Sequence, residues 1–166
     1  MKVTKTFQWD CSHKLCLPYE SKCNAMHGHT YKIEVELEGN LDDNGMVMDF
    51  VKLKELVNKI SLDHSTINEN EFFKAMKWQP TAENMVLYIK HKLDAQWKPG
   101  WPLISRIRVW ETPTSYAEET WYPAHQQLLN SIKIQHDKIE LLKEQLGAAA
   151  TRLAKIATWI DQKRKG

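Results

Sequence analysis

Three histidines, His13, His27 and His29, are the residues of this 166-residue chain best suited to hold a metal ion. Zn2+ accepts imidazole nitrogen, and three protein donors with a fourth position left to water or substrate is the arrangement of a catalytic zinc site. Residues two apart in a strand share a face, so His27 and His29 should point the same way, while Gly28 between them lets the backbone bend or be approached closely. Cys23, four residues before His27, has two readings. As a fourth ligand it would close the site and make it structural; held just outside the coordination sphere, its thiol would be acidified by the nearby cation and would serve as a base. Asp63 and His64 form an adjacent carboxylate–imidazole pair that could orient a tautomer and relay a proton, although such a pair after a helix is often only a cap. Glu111 ends an apolar strand face, where a carboxylate either turns to solvent or takes two hydrogen bonds from a guanidine-like edge.

The positions of these residues depend on the elements that carry them. From Val3 to His13 the odd residues Val3, Phe7, Trp9, Cys11 and His13 oppose polar even ones, which predicts a strand with one buried face; Lys5 is the exception. His29 to Leu37 repeats the pattern with His29, Tyr31, Ile33, Val35 and Leu37. In an antiparallel pair the end of the first strand lies beside the start of the next, so all three imidazoles should converge. Asp49 caps a helix with the stripe Phe50, Leu53, Leu56, Val57 and Ile60, expected to end near Leu62. Thr81 caps a second, with Met85, Val86, Ile89, Leu93 and Trp97. Strands over 103–111 and 116–122 follow, turning at Pro113 and Thr114. The order strand, strand, helix, helix, strand, strand defines an α+β fold, a four-stranded antiparallel sheet with both helices on one face.

Beyond Pro123 the character changes. Leu128, Ile132, Gln135, Ile139, Leu142, Leu146, Ala149, Leu153, Ile156 and Ile160 alternate spacings of four and three, a heptad seam broken only by Gln135. The expectation is one domain over residues 1–122 and a helical extension over 123–166, a coiled coil or hairpin, with Gly147 weakening any continuous helix.

Composition excludes more than it assigns. Lys and Arg number 23 against 21 acids, so bulk charge recruits neither nucleic acid nor a membrane surface. The start is not a secretory signal, no stretch is long and apolar enough to span a membrane, and three cysteines make at least one free thiol; a reducing cytoplasm is expected.

Phe7 to Leu15, ending Ser12-His13-Lys14-Leu15, and Cys23-Asn24-Ala25-Met26-His27-Gly28-His29 together resemble the 6-pyruvoyl-tetrahydropterin and 6-carboxy-tetrahydropterin synthase family. Gly45-Met46-Val47-Met48-Asp49-Phe50, Leu62-Asp63-His64, Pro80-Thr81-Ala82-Glu83-Asn84 and Glu111-Thr112-Pro113-Thr114 extend the match in family order across residues 1 to 122. The resemblance implies the tunnelling fold (T-fold), with sheets joined into a barrel, a stacked homo-hexamer, and active sites between subunits. It further implies zinc at His13, His27 and His29, catalysis by Cys23 with Asp63 and His64, and pterin anchoring by Glu111 with Thr81 beside it. Lys14 is a candidate for the substrate's phosphates. The three-residue gap between Cys23 and His27 looks like the 6-carboxy branch, which would act on a pterin triphosphate on the route to queuosine. Cys11 and Ser12 stand where small alanines are usual, and the tail after Tyr122 is an addition to the family pattern.

Overall fold

The computed structural model describes residues 1–121, 135 and 138–153. The chain divides into two compact units, Met1–Tyr122 and Pro123–Gly166.

In the first unit, alternation of apolar and polar residues builds the sheet. β1 (Lys2–His13) and β2 (His27–Glu38) pair antiparallel along their whole length, from Lys2 opposite Glu38 to His13 opposite His27. β4 (Leu103–Thr112) pairs with β2, and β5 (Ser115–Thr120) with β4, both antiparallel. The sheet has one strand more than the alternation predicts: β3 (Ser65–Thr66) adds parallel to β1 at the other edge, giving the order β3-β1-β2-β4-β5. Two residues are too few to carry a periodic signal.

One face of the sheet is apolar. Tyr31, Ile33, Val35, Leu37, Ile107 and Val109 are fully buried there, under Leu53 and Val57 of α1 (Phe50–Asn58) and Met85, Ile89 and Leu93 of α3 (Ala82–Asp94). The opposite face carries interleaved charges: Arg106 reaches Glu36 at 3.3 Å and Arg108 reaches Glu118 at 2.6 Å. This alternation specifies the register, because sliding a strand by one residue would turn its apolar set to water.

Asp49 and Thr81 cap their helices as the sequence implies, accepting from the amides of Val51 (2.7 Å) and Asn84 (3.3 Å). α1 ends at Asn58 rather than near Leu62. Its last turn tightens, with Ile60 N–H donating to Val57 and Ser61 N–H to Asn58, and the chain then turns toward β3. Ile60 and Leu62 are buried all the same, which explains why the stripe runs on past the helix. α3 ends at Asp94, and Trp97 lies past it, its indole donating to the Pro102 carbonyl at 2.7 Å. A further helix, α2 (Glu71–Met76), escaped the periodic reading because six residues span under two turns. Asn70 caps it, and Lys77 ends it in the left-handed region at φ 54°.

In the second unit, residues 138–153 are helical, so Ile139, Leu142, Leu146, Ala149 and Leu153 ride on one helix that Gly147 does not interrupt. The seam positions Leu128, Ile132, Ile156 and Ile160, and with them the choice between coiled coil and hairpin, lie outside the described residues.

Ile89→Ala should destabilise the sheet unit by about 2–5 kcal/mol through the cavity left under α3. Asp49→Ala should cost about 1 kcal/mol through the lost cap. Urea unfolding of both variants checks the ranking, and equal losses would contradict this packing.

Candidate metal centre and active site

Strand register assembles the centre. His13 lies opposite His27, and Cys11 opposite His29, so all three histidines share the helix-covered side of the β1–β2 pair. Their candidate ligand nitrogens all lie within 4.8 Å of one another.

Hydrogen bonds behind the rings decide which nitrogens face inward. His13 Nδ1 is 2.6 Å from the Pro80 carbonyl, and His27 Nδ1 is 2.8 Å from the Ala25 carbonyl. A carbonyl only accepts, so each Nδ1 carries the proton and donates. In a neutral ring Nε2 is then a bare lone pair, and the two Nε2 atoms stand 3.1 Å apart. Two lone pairs at that separation repel unless a cation lies against both. Burial is the largest influence on His13 and lowers its pKa, so the ring resists taking up the proton itself. The three histidines could hold a metal ion, and the carbonyl partners match the outer supports that metal-bound histidines ordinarily have.

Glu111 and Tyr31 complete the surroundings. Glu111 Oε1 is 3.5 Å from His13 Nε2 and 3.7 Å from His29 Nε2, so the carboxylate turns to the imidazoles and not away into solvent. The Tyr31 hydroxyl, fully buried, lies 3.2 Å and 3.4 Å from the two His13 nitrogens. Burial first, and the facing Glu111 carboxylate second, push its pKa far up, so it remains a neutral donor. Sequence reading missed Tyr31 because a tyrosine two residues after His29 in an apolar row looks like core.

Cys23 is half-buried in a single 3-10 turn, Lys22–Asn24, capped by Ser21, which accepts from the Cys23 amide at 3.2 Å. Among the described residues, the set of side chains grouped closely enough to share an ion comprises the three histidines and does not include Cys23. The loop carrying it is stitched down at several points. Leu15 N–H donates to the Cys23 carbonyl; Asn68 holds both backbone groups of Lys14 at 2.9 Å each; Gln79 holds those of Cys16 at 3.0 and 2.9 Å. No local pattern marks Asn68 or Gln79, since their partners lie more than fifty residues away.

Asp63 and His64 sit at the β3 edge. Asp63 Oδ1 accepts from the Asp10 amide at 2.7 Å, and His64 N–H donates to the Asp10 carbonyl at 2.8 Å. The second Asp63 oxygen is 3.7 Å from His64 Nε2. His64 adopts φ 54°, a conformation in which histidine is over-represented but still uncommon, and its side chain is 81% exposed. It shares a shallow groove with His29, Asp10 and Gly28. Thr81 spends its hydroxyl on the α3 cap, and Lys14 is exposed at the end of β1. The buried Cys11 thiol donates to the Leu62 carbonyl at 3.0 Å, and burial pushes its pKa up to about 12, so it is inert; Ser12 bonds Thr66 at 2.9 Å.

Residues 2–120 match the 6-pyruvoyl tetrahydropterin synthase family, and the chain belongs to it. It is 37% identical over 140 residues to a Haemophilus influenzae protein named 6-carboxy-5,6,7,8-tetrahydropterin synthase, a match spanning 70% of this chain and 96% of that one. It is also 37% identical over 98 residues to the dihydroneopterin monophosphate aldolase of Pyrococcus furiosus, spanning 58% of this chain and 79% of that one. In three dimensions it superposes on the Caenorhabditis elegans 6-pyruvoyl tetrahydropterin synthase with a TM-score of 0.63 at 27% identity, over 74% of this chain and 96% of that one. The fold is therefore the tunnelling fold. Among the described residues no helix is long and apolar enough to cross a membrane.

If the three histidines hold a metal ion, His13→Ala should abolish its retention after dialysis while the sheet remains folded, read by elemental analysis and circular dichroism. Unchanged metal content would contradict the assignment.

Proposed function

We propose that this protein is a zinc-dependent 6-carboxy-5,6,7,8-tetrahydropterin synthase, a lyase that converts 7,8-dihydroneopterin triphosphate and water to 6-carboxy-tetrahydropterin, acetaldehyde and triphosphate. The observation that carries this reading is the 3.1 Å approach of the His13 and His27 Nε2 atoms, with His29 and Glu111 beside them. The sequence relationship to the Haemophilus influenzae protein supports the carboxy branch, as does the three-residue gap between Cys23 and His27.

His13, His27 and His29 would hold the zinc, which when bound supplies a Lewis acid that polarises the substrate's side-chain oxygens and acidifies the neighbouring carbon-bound proton. Cys23 would remove that proton. Its turn is fixed through the Leu15 and Ser21 contacts, so the sulfur need not be ordered by the substrate. Asp63 would orient His64, and His64 would relay protons. Glu111 would accept from the donor edge of the pterin ring, with Thr81 nearby, and Lys14 would meet the phosphates.

His64 projects into solvent within its own chain, which suits the homo-hexamer that the family resemblance implies, with sites formed between subunits. The substrate is a small pterin, nucleic acid and membrane have no part, and the place of action is the cytoplasm, on the route to queuosine.

Product analysis by mass spectrometry tests the reaction. Incubation with dihydroneopterin triphosphate should yield 6-carboxy-tetrahydropterin and acetaldehyde; 6-pyruvoyl-tetrahydropterin instead would assign the other branch, and cleavage only of the monophosphate would assign the aldolase activity named for the Pyrococcus furiosus relative. Cys23→Ala should abolish turnover and keep its zinc; loss of the metal would make the sulfur a structural ligand. Two inactive variants, Cys23→Ala and His64→Ala, should regain activity when co-assembled, because one chain then supplies the thiol and its neighbour the imidazole. No recovery would place both groups in the same chain's site.

A further inference from the structure

Tyr31 brings a hydroxyl to the centre where a purely apolar ring would pack as well. The residue is fully buried, and its ring stands edge-on to His13 at 89° and to His29 at 62°, with centroids 6.0 and 5.5 Å away. Phenylalanine would fill the same space, and a buried hydroxyl costs stability unless its proton finds an acceptor. The oxygen lies 3.2 Å from His13 Nδ1 and 3.4 Å from His13 Nε2. Nδ1 carries the proton that goes to the Pro80 carbonyl, so it has no lone pair to offer. On that ring only Nε2 can accept, and its histidine belongs to the group that could hold an ion. One lone pair cannot serve a phenol proton and a metal ion together.

We propose that Tyr31 is a further catalytic residue: in the metal-free protein its O–H donates to His13 Nε2, and once an ion takes that lone pair the O–H turns to the substrate's side-chain oxygen. The proposal rests on reading the three histidines as the metal site of the proposed synthase. The change of partner needs only rotation of the hydroxyl hydrogen about its C–O bond, because the packed ring stays where the core holds it. The donor then stands beside the oxygen on which negative charge builds as the neighbouring carbon-bound proton is removed. At a buried position, fixed in advance by packing, such a donor is worth far more than in water. No proton leaves the phenol at any stage, so Tyr31 stabilises charge and does not compete with Cys23 or His64 for proton transfer.

Full-length Tyr31→Phe, which keeps the ring and deletes only the hydroxyl, tests this against wild type in three states. In the metal-free state, 15N NMR should show the His13 Nε2 resonance moved toward that of a bare lone pair in the variant; an identical resonance means that the hydroxyl donates elsewhere and overturns the proposal. With Co2+ bound, acetate serves as a small oxygen probe of the open position, titrated by visible absorption. The variant should hold the metal and bind acetate about tenfold more weakly; equal acetate affinity, or loss of the metal itself, would make the hydroxyl a structural support and overturn the proposal. In turnover of dihydroneopterin triphosphate, kcat should fall roughly a hundredfold, and an unchanged kcat would be fatal. One measurement needs no variant to fold: the 13Cζ resonance of Tyr31 in wild type should move as zinc is added, and a static resonance contradicts the change of partner. The parent reading fails separately, if wild type binds no ion, or binds it and makes no product; in the second case the acetate titration still judges Tyr31.

Discussion

Everything in the site follows from the pairing of His13 with His27 across β1 and β2. Because side chains alternate strictly along a strand, a slip of one residue would send these rings to opposite faces and dissolve the centre. The register is held by burial along the rest of the row: Trp9, Cys11, Tyr31, Ile33, Val35 and Leu37 all lie on the covered face. The candidate metal centre is the polar end of an apolar row. Its electrostatic frustration, two lone pairs turned toward each other, is tolerable because the hydrophobic stretch behind it leaves the backbone no other choice.

The helical layer contributes through one carbonyl. Pro80 precedes the Thr81 cap of α3, and its oxygen takes the His13 Nδ1 proton. The neighbouring Gln79 clamps Cys16, and its own carbonyl accepts from Asn84 inside the helix at 2.8 Å. One short segment at the start of α3 therefore sets both the tautomer of a metal-facing histidine and the path of the loop that carries Cys23. On the other side of β1, the Asp63–His64 pair is tied to the backbone of Asp10, three residues before His13. Thiol, imidazoles and the Asp63–His64 pair are thus referred to the same strand end.

Much of this was legible in the chain itself. Alternation from Phe7 to His13 and from His29 to Leu37 was enough to place three imidazoles together, because strand periodicity says which side chains share a face. Helix caps at Asp49 and Thr81 were legible because short polar side chains before an apolar stripe have a physical reason to be there. The unread parts share a cause. Tyr31 is polar at one atom only, and its value comes from the partners that folding brings to that atom. Asn68 and Gln79 act on backbone more than fifty residues away, and α2 and β3 are shorter than the period that would reveal them. Glu111 was visible as an odd carboxylate at the end of an apolar row, but its approach to the histidines required β4 to be laid beside β2 in the observed register.

The central claim is that His13 and His27 turn unprotonated Nε2 atoms to a common cation. Two-bond proton–nitrogen correlation NMR of protein labelled with 15N at histidine reads this directly, in the metal-free state and during zinc addition. Both rings should appear as the Nδ1–H tautomer before metal, and both Nε2 resonances should shift together as one equivalent of zinc is added. An Nε2–H tautomer at either residue, or Nε2 signals indifferent to zinc, would contradict the account.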